Sequence, residues 1–469
     1  MAATLFALLV AFAFGFAVIM FLWPQRLRRA DLPLLTFLAA GIGLGLSSCL
    51  FFFWIAVFNG RHDHFVRNEV VVVITLNLCA LFARQRKRIG GMVQGELSRS
   101  GGPGWILTAA FCAALVVAGI AFARLCVAAP HGSFDAWGIW NLHAKFLFVN
   151  DQHWRDGFSH DLAWSHPDYP LLVPASVARL WSYSGAESTS GPIFIAIIFT
   201  LATVGLLVSA LSALRSAGQG LLAGTILLAT PFFVVLGAAQ YADVPFGFFC
   251  LAAVVLVCLH RRIAGNAVFT LAGITAGLAM WTKNEGVPLF VSLLITHLAV
   301  NLRRRNRPEY LRELALFVGG ALPIVAVLIY FKFEIGTQNI FLSQPGTVLH
   351  RLTDLSRYGT ILRAGLAEIF NFGAWSVSLT PCIAFYVLIT GFRERLQQST
   401  TAVACLTLVF TAMGYFVIYL IAPLPLDWLL ASSLNRLLIQ LWPSVLFLVF
   451  LQARTPEEAI SSSGVIAED

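Results

Sequence analysis

Charge is what this sequence has least of. Asp, Glu, Lys and Arg make up 12% of its 469 residues, about half of the roughly 25% that a soluble domain carries. That scarcity, together with a mean hydropathy of +0.81, excludes a soluble globular enzyme, a disordered chain and a nucleic-acid-binding module. Paired cysteines are lacking as well. The eight cysteines stand singly, nearly all in or beside apolar runs, and no CxxC or Cys/His spacing points to zinc or to a disulfide framework. The N-terminus has no basic leader, and its apolar run (about Thr4–Trp23) is too long for a cleavable signal, so it reads as a first transmembrane helix. No internal repeat, Gly/Ser linker or low-complexity stretch is visible. The glycines of Gly41-Ile42-Gly43-Leu44-Gly45 follow no strand and lie inside an apolar run, where close helix packing accounts for them better than a nucleotide loop does.

What is there instead is a series of apolar blocks of roughly 17–28 residues, each able to cross a bilayer core of about 30 Å. The fold expected is an all-α integral membrane protein of about thirteen transmembrane helices. The spans fall near 3–23, 32–58, 68–83, 105–128, 191–213, 219–237, 244–260, 266–281, 286–301, 313–331, 373–391, 401–421 and 436–452. Those at 68–83, 266–281 and 286–301 are short enough to be half-spans or kinked helices.

The net charge of +8 belongs to the loops. With the N-terminus outside, the inside loops hold Arg26, Arg28 and Arg29, the run Arg84-Gln85-Arg86-Lys87-Arg88, Arg99, Arg215, Arg261 and Arg262, Arg303 to Arg312, Arg393 and Arg395, and Arg454. This agrees with the positive-inside rule and predicts an N-out, C-in topology. Two larger segments, about 127–190 and 331–372, then lie outside, and only there is room for chemistry. The expected organisation is three N-terminal helices (1–103), a transmembrane catalytic module (104–452) and a short cytoplasmic tail (453–469) whose residues from Thr455 on are expected to be disordered.

Charge at a membrane boundary is costly, and it marks function by default. Four outer constellations stand out. The first runs from His131 to Lys145. Asp135 lies there among aromatic residues, as a base for an acceptor hydroxyl or as a cap to the helix that follows. Trp137 and Trp140 are i, i+3 neighbours on that helix, with Trp140, Ala144 and Phe148 continuing one face; they line a pocket or form an interfacial belt. Lys145 closes the segment. The second is Trp164-Ser165-His166-Pro167-Asp168-Tyr169-Pro170, whose prolines stiffen the backbone. His166, Asp168 and Tyr169 bind sugar hydroxyls, help hold a divalent metal, or simply make a turn; His153 and His160 are nearby without a convincing ligand spacing. The third, Gln240-Tyr241-Ala242-Asp243-Val244-Pro245, puts Asp243 at the membrane edge, as a pocket residue or a helix cap. The fourth, Trp281-Thr282-Lys283-Asn284-Glu285-Gly286, puts Lys283 in a short outer loop, where positive charge is scarce. A phosphate would explain it, and so would self-pairing with Glu285. Arg436, opening the last span, either grips phosphate through its guanidinium or snorkels.

Carboxylates from two loops with cations from two others suit transfer of a sugar from a lipid phosphate. Phosphate is a good leaving group, the cations offset its charge, and a carboxylate activates the acceptor hydroxyl. A single displacement would invert the anomeric carbon.

With these residues the sequence resembles the GT-C superfamily of polytopic glycosyltransferases. It is most similar to bacterial members akin to the dolichyl-phosphate-mannose–protein mannosyltransferases and the lipid A aminoarabinose transferase. Asp135 matches the acidic residue that the family places in its first large outer loop. Tyr241-Ala242-Asp243-Val244-Pro245 resembles a membrane-edge segment of the family. Gly273, Gly277, Lys283, Glu285 and Gly286 resemble its Gly-rich span ending in Lys and Glu, and Ser433 with Arg436 resembles the start of a late helix. The resemblance spans about residues 104–450. It implies a polyprenyl-phosphate sugar donor, an acceptor that is a glycan, lipid or protein, and a site on the outer face of a bacterial inner membrane. No cofactor is implied with certainty. The chain departs from the pattern in its three preceding spans and in a single Asp at 135 where many protein mannosyltransferases carry Asp–Glu. On this reading Asp135 is the base, Asp243 lines the site, and Lys283 and Arg436 bind phosphate. Glu285, Trp137 and Lys145 complete the substrate contacts, with His166, Asp168 and Tyr169 in the sugar or acceptor pocket. Lys332, Arg351, Arg357 and Arg363 sit in an outer segment that gates lipid entry or rests on anionic lipid. A transporter or flippase is the alternative function, and a non-catalytic scaffold the third. A transporter would carry charge at mid-span and broken helices in matched halves.

Overall fold

A computed structural model of the chain describes residues 1–23, 28–88, 104–149, 152–260, 265, 267–301, 307–336, 345–375, 378–393 and 400–464. The basic positions Arg26, Arg99, Arg261, Arg262, Arg303, Arg304, Arg305 and Arg395 lie outside these residues, as do the side chains of the run Gln85–Arg88. The described residues are almost all helical, with one antiparallel bridge between Phe392 and Ala453 and no strand. The protein is a multi-pass membrane protein, as its apolar helices require.

The first three helices, α1 (Ala2–Leu22), α2 (Leu32–Val57) and α3 (Phe65–Arg88), precede α4 (Trp105–Ala128). A cap of short elements follows: a π turn (Ala136–Trp140), α5 (Asn141–Phe148), two 3-10 turns and α6 (Leu172–Ser184). Then come α7 (Ser190–Leu214), α8 (Ala217–Leu228), α9 (Pro231–Ala238), α10 (Asp243–Leu259), α11 (Ala267–Thr282), α12 (Gly286–Asn301) and α13 (Arg307–Glu334). The chain closes with α14 (Pro345–Thr353), α15 (Leu355–Asn371), α16 (Leu379–Thr390), α17 (Thr400–Ile421), α18 (Leu426–Gln452) and α19 (Pro456–Gly464).

Eight helices are long and apolar enough to cross a membrane, or up to ten if two bent pairs each count as one span; α10, α11 and α12 are shorter apolar helices. All thirteen apolar blocks fall on helices, but two are not single rods. The block at 219–237 is α8 and α9, bent by 66°. Pro231 opens the second helix and drives Thr230 to an extended ψ of 102°, as a residue before proline must go. The block at 373–391 begins in a 3-10 turn (Phe372–Ala374), and its described α-helix is α16, from Leu379.

Small residues set the closest packing. A methyl group on Gly43 would collide with the Ala11 carbonyl of α1, and one on Gly273 with the Phe317 carbonyl of α13. The glycine run at 41–45 is therefore a helix-contact motif, with Gly41 against Phe248 and Gly45 against Leu278. Helix α10, at the centre, is buried along its whole length.

Two expectations about the periphery change. The tail forms α19, because Thr455 and Glu458 cap each other reciprocally: the Thr455 N–H donates to Glu458 Oε2 (3.1 Å) and the Glu458 N–H to Thr455 Oγ1 (3.2 Å). This is the Ser/Thr-x-x-Glu box, here with proline at the first helical position. Glu458 also accepts two bonds from the Arg215 guanidinium, at 2.9 and 2.6 Å. In the outer segment, Arg351 and Arg357 bond to the protein's own backbone. Arg351 donates to the Ile421 carbonyl (3.0 Å), and Arg357 to those of Tyr419 (2.7 Å) and Ala422 (3.2 Å). They satisfy the orphan carbonyls at the end of α17, where a helix favours positive charge.

Candidate active site

The site forms where α10, α11, α12 and α18 meet the cap. Asp243, at the first turn of α10, is fully buried. A buried carboxylate must be paired, and this one has three partners: Arg436 Nη2 at 2.8 Å, Lys283 Nζ at 3.1 Å and Gln440 Nε2 at 2.7 Å. Neither Asp243 nor Asp135 uses its side chain as a helix cap. Asp135 instead reaches the same Arg436 nitrogen at 2.7 Å. Lys283 bonds Glu285 at 3.0 Å. The result is one ion-pair chain, Asp135–Arg436–Asp243–Lys283–Glu285, drawn from four separate stretches of sequence. Lys283 thus pairs with Glu285, as the second of its two sequence readings has it, and with Asp243 as well. Burial draws its ammonium down, but Asp243 and Glu285 outweigh that and hold it above its ordinary value.

Arg436 does not open its helix. Helix α18 begins ten residues earlier, at Leu426, so Arg436 projects from about three turns in. Its guanidinium lies 4.7 Å from the centre of the Tyr241 ring and does not snorkel. Gln440, one turn on, is held by the Tyr415 hydroxyl, which donates to its Oε1 at 3.0 Å.

A second wall comes from the cap. Asp168 accepts from Asn284 Nδ2 (2.9 Å). Lys332, near the end of α13, donates to Asn284 Oδ1 (2.7 Å) and to the Asp168 carbonyl. Lys332 was expected in the lipid-gating segment; α13 runs on to Glu334 and delivers it to the pocket instead. His166 stacks on Tyr169 (4.6 Å between centres) and Tyr169 on Trp140 (5.6 Å). Burial pushes the Tyr169 hydroxyl well above its ordinary value, with Glu285 and Asp168 adding to it. Burial also lowers His166, although Asp168 and Asp135 pull the other way. His166 (φ 53°) and Gln240 (φ 63°) adopt the left-handed conformation without being glycine, and such strained backbone concentrates at functional sites.

Two candidates do not join the cluster. Trp137 is half exposed and packs edge-on against Phe134, whereas Trp140 is buried. The two do not share a face because the π turn widens the spacing from i+4 to i+5. Lys145 forms an exposed pair with Glu187 at 3.5 Å. His153 pairs with Asp156 on the surface, away from His166. Among the described residues no group of three or more His, Cys, Asp or Glu side chains is set to hold a metal ion.

Residues 168–331 match the family described as dolichyl-phosphate-mannose-protein mannosyltransferase. The chain resembles that family over this stretch. The match covers Asp168, Asp243, Lys283 and Glu285, while Asp135, Lys332 and Arg436 lie outside it; the structure is what joins the two sets. No curated protein and no solved structure matches the chain. The match bears out the likeness to GT-C enzymes and indicates a membrane glycosyltransferase of the mannosyltransferase type.

Lys332 aside, which the sequence assigned to the outer segment, Asn284, Gln440 and Tyr241 are site residues that sequence reasoning left out. So is His143, fully buried behind the second wall, with Nε2 3.2 Å from Ser165 Oγ. Burial, with His166 second, brings His143 down to about 3. The unfolded chain, with histidine near 6.5, then binds the proton that the folded one refuses. Stability from this group is complete above pH 6.5 and falls by about 1.4 kcal/mol per unit as pH drops toward 3. Thermal unfolding at pH 7, 6 and 5 should show wild type losing more stability than His143→Gln across that range.

Proposed function

We propose that the protein transfers a sugar from a polyprenyl-phosphate donor to an acceptor on the extracytoplasmic face, with inversion at the anomeric carbon. The ion-pair chain from Asp135 to Glu285 carries this reading, because it sets cations and a partly exposed carboxylate side by side, and three of its members, Asp243, Lys283 and Glu285, lie in the stretch that matches a lipid-phosphate-sugar family. Asp135 takes the proton of the acceptor hydroxyl. The hydroxyl oxygen bonds to the anomeric carbon, the bond from that carbon to the phosphate oxygen breaks, and its electron pair leaves on the phosphate. The donor phosphodiester becomes a monoester with one more negative charge. Lys283 and Arg436 stabilise that charge as it develops, which is where binding energy accelerates a reaction, while Lys332 holds the phosphate before and during transfer alike. Residues 104–452 form the catalytic module in this reading. In this reading the site faces the extracytoplasmic side and the C-terminus the cytoplasm, which the charge rule supports, and the membrane is the bacterial inner membrane that the resemblance implies.

The test uses the full chain in nanodiscs with a panel of polyprenyl-phosphate sugars, mannose among them, and follows free polyprenyl phosphate by mass spectrometry. Release from one donor class is the expected result. Absence of both release and binding across the panel would favour a transporter. Lys332→Met should raise the donor KM by roughly tenfold with little change in kcat if Lys332 holds the phosphate in ground and transition states alike. An unchanged KM would remove it from the donor site.

A further inference from the structure

As the site stands, each of its cations is already bonded to the protein. Arg436 serves Asp135 and Asp243, Lys283 serves Asp243 and Glu285, and Lys332 serves Asn284 and the backbone of Asp168. Four carboxylates (Asp135, Asp168, Asp243, Glu285) against three cations (Lys283, Lys332, Arg436) leave the pocket at minus one. A lipid-phosphate sugar brings one further negative charge. With every ion pair intact, its phosphate would meet carboxylates in a partly buried site, where like charges repel strongly. A carboxylate must therefore give up its cation.

The geometry identifies which one. Asp243 is fully buried and has three donors. If Arg436 turns away, Lys283 and Gln440 still hold it, and Gln440 is fixed by Tyr415. Asp135 is 18% exposed at its side chain, and among the described residues Arg436 is its one ion-pair partner. Arg436 has donors to spare: Nη2 alone serves both carboxylates, while Nε is buried without a partner. The Tyr241 ring beneath the guanidinium holds the cation by its face, a contact that does not fix which acceptor its N–H groups address.

Taking this pocket as the donor site, we propose that Arg436 is a donor-sensing switch: its hold on Asp135 passes to the donor phosphate, and Asp135 can take the acceptor proton only once the donor is in place. Guanidinium matches phosphate as well as it matches carboxylate, so one ion pair is exchanged for another. Gln440 is a positioning residue that keeps Asp243 in place during the exchange. Binding is then ordered, donor before acceptor, and the base is withheld while the donor is absent.

Carboxylate footprinting tests this. The full chain in nanodiscs is treated with a carbodiimide and an amine, with and without saturating polyprenyl phosphate, and labelling is read residue by residue by mass spectrometry. Calorimetry in parallel establishes that polyprenyl phosphate binds. The expected result is a several-fold rise in Asp135 labelling on binding, with Asp243 unlabelled throughout. Binding with Asp135 labelling unchanged or lower overturns the switch and leaves the donor-site reading standing. Absence of binding overturns the donor-site reading and the switch together.

Discussion

Asp135→Asn should lower sugar transfer by about 10²–10⁴-fold, the usual contribution of a positioned base, while the melting temperature stays close to that of wild type. Asparagine has the same shape, and its amide oxygen still accepts from Arg436 Nη2, now 2.7 Å from the carboxylate. Arg436 also keeps its bond to Asp243, so no buried charge is stranded. What disappears is proton affinity. The substitution therefore separates chemistry from architecture, and the donor KM should fall, since the carboxylate that competes with the phosphate for Arg436 has lost its charge. Transfer at the wild-type rate would remove Asp135 from the role of base, and Glu285 would be the next carboxylate to test, because Asp243 is committed to three donors.

The charged part of the site was legible in the sequence because each member broke a rule of its surroundings. Asp243 and Lys283 stand in short loops between apolar blocks, and Arg436 stands on the side that the charge rule leaves poor in arginine. Burial then forces such groups together, since each is the cheapest partner available to the others. The neutral partners carried no such signal. Gln440 lies within an apolar helix and Asn284 within a turn, and neither position violates anything. Lys332 was misplaced by only a few residues: ending the span at 331 put it in a loop, whereas one further helical turn brings it over Asn284 and Asp168. Trp137 failed for a different reason, since a π turn cannot be read from a pattern that assumes 3.6 residues per turn.

The same logic left one buried pair unseen, and it should give the largest change in stability. Glu69→Gln should destabilise the protein by about 3–5 kcal/mol, the cost of stranding one member of a buried ion pair. Both side chains are almost fully excluded from solvent. Arg179 Nε lies 2.8 and 2.9 Å from the two carboxylate oxygens, Nη2 donates to the Ala7 carbonyl at 3.0 Å, and the Tyr183 hydroxyl donates to Glu69 Oε2 at 2.7 Å. These contacts join α1, α3 and α6, and α6 begins just beyond the segment that carries His166, Asp168 and Tyr169. No spacing announces a pair 110 residues apart. Glutamine keeps one acceptor but removes the charge that balances Arg179, whereas Glu69→Met with Arg179→Met removes both charges and fills the space. Buried pairs replaced in that way often lose little. The double variant should thus be much more stable than the single one in thermal unfolding within nanodiscs. Equal losses would mean that the hydrogen bonds, and not the stranded charge, dominate. If the double variant recovers stability yet binds polyprenyl phosphate weakly, the pair does more than hold α6 in place: it sets the position of the second wall, and the N-terminal helices belong to the site as much as the matched segment does.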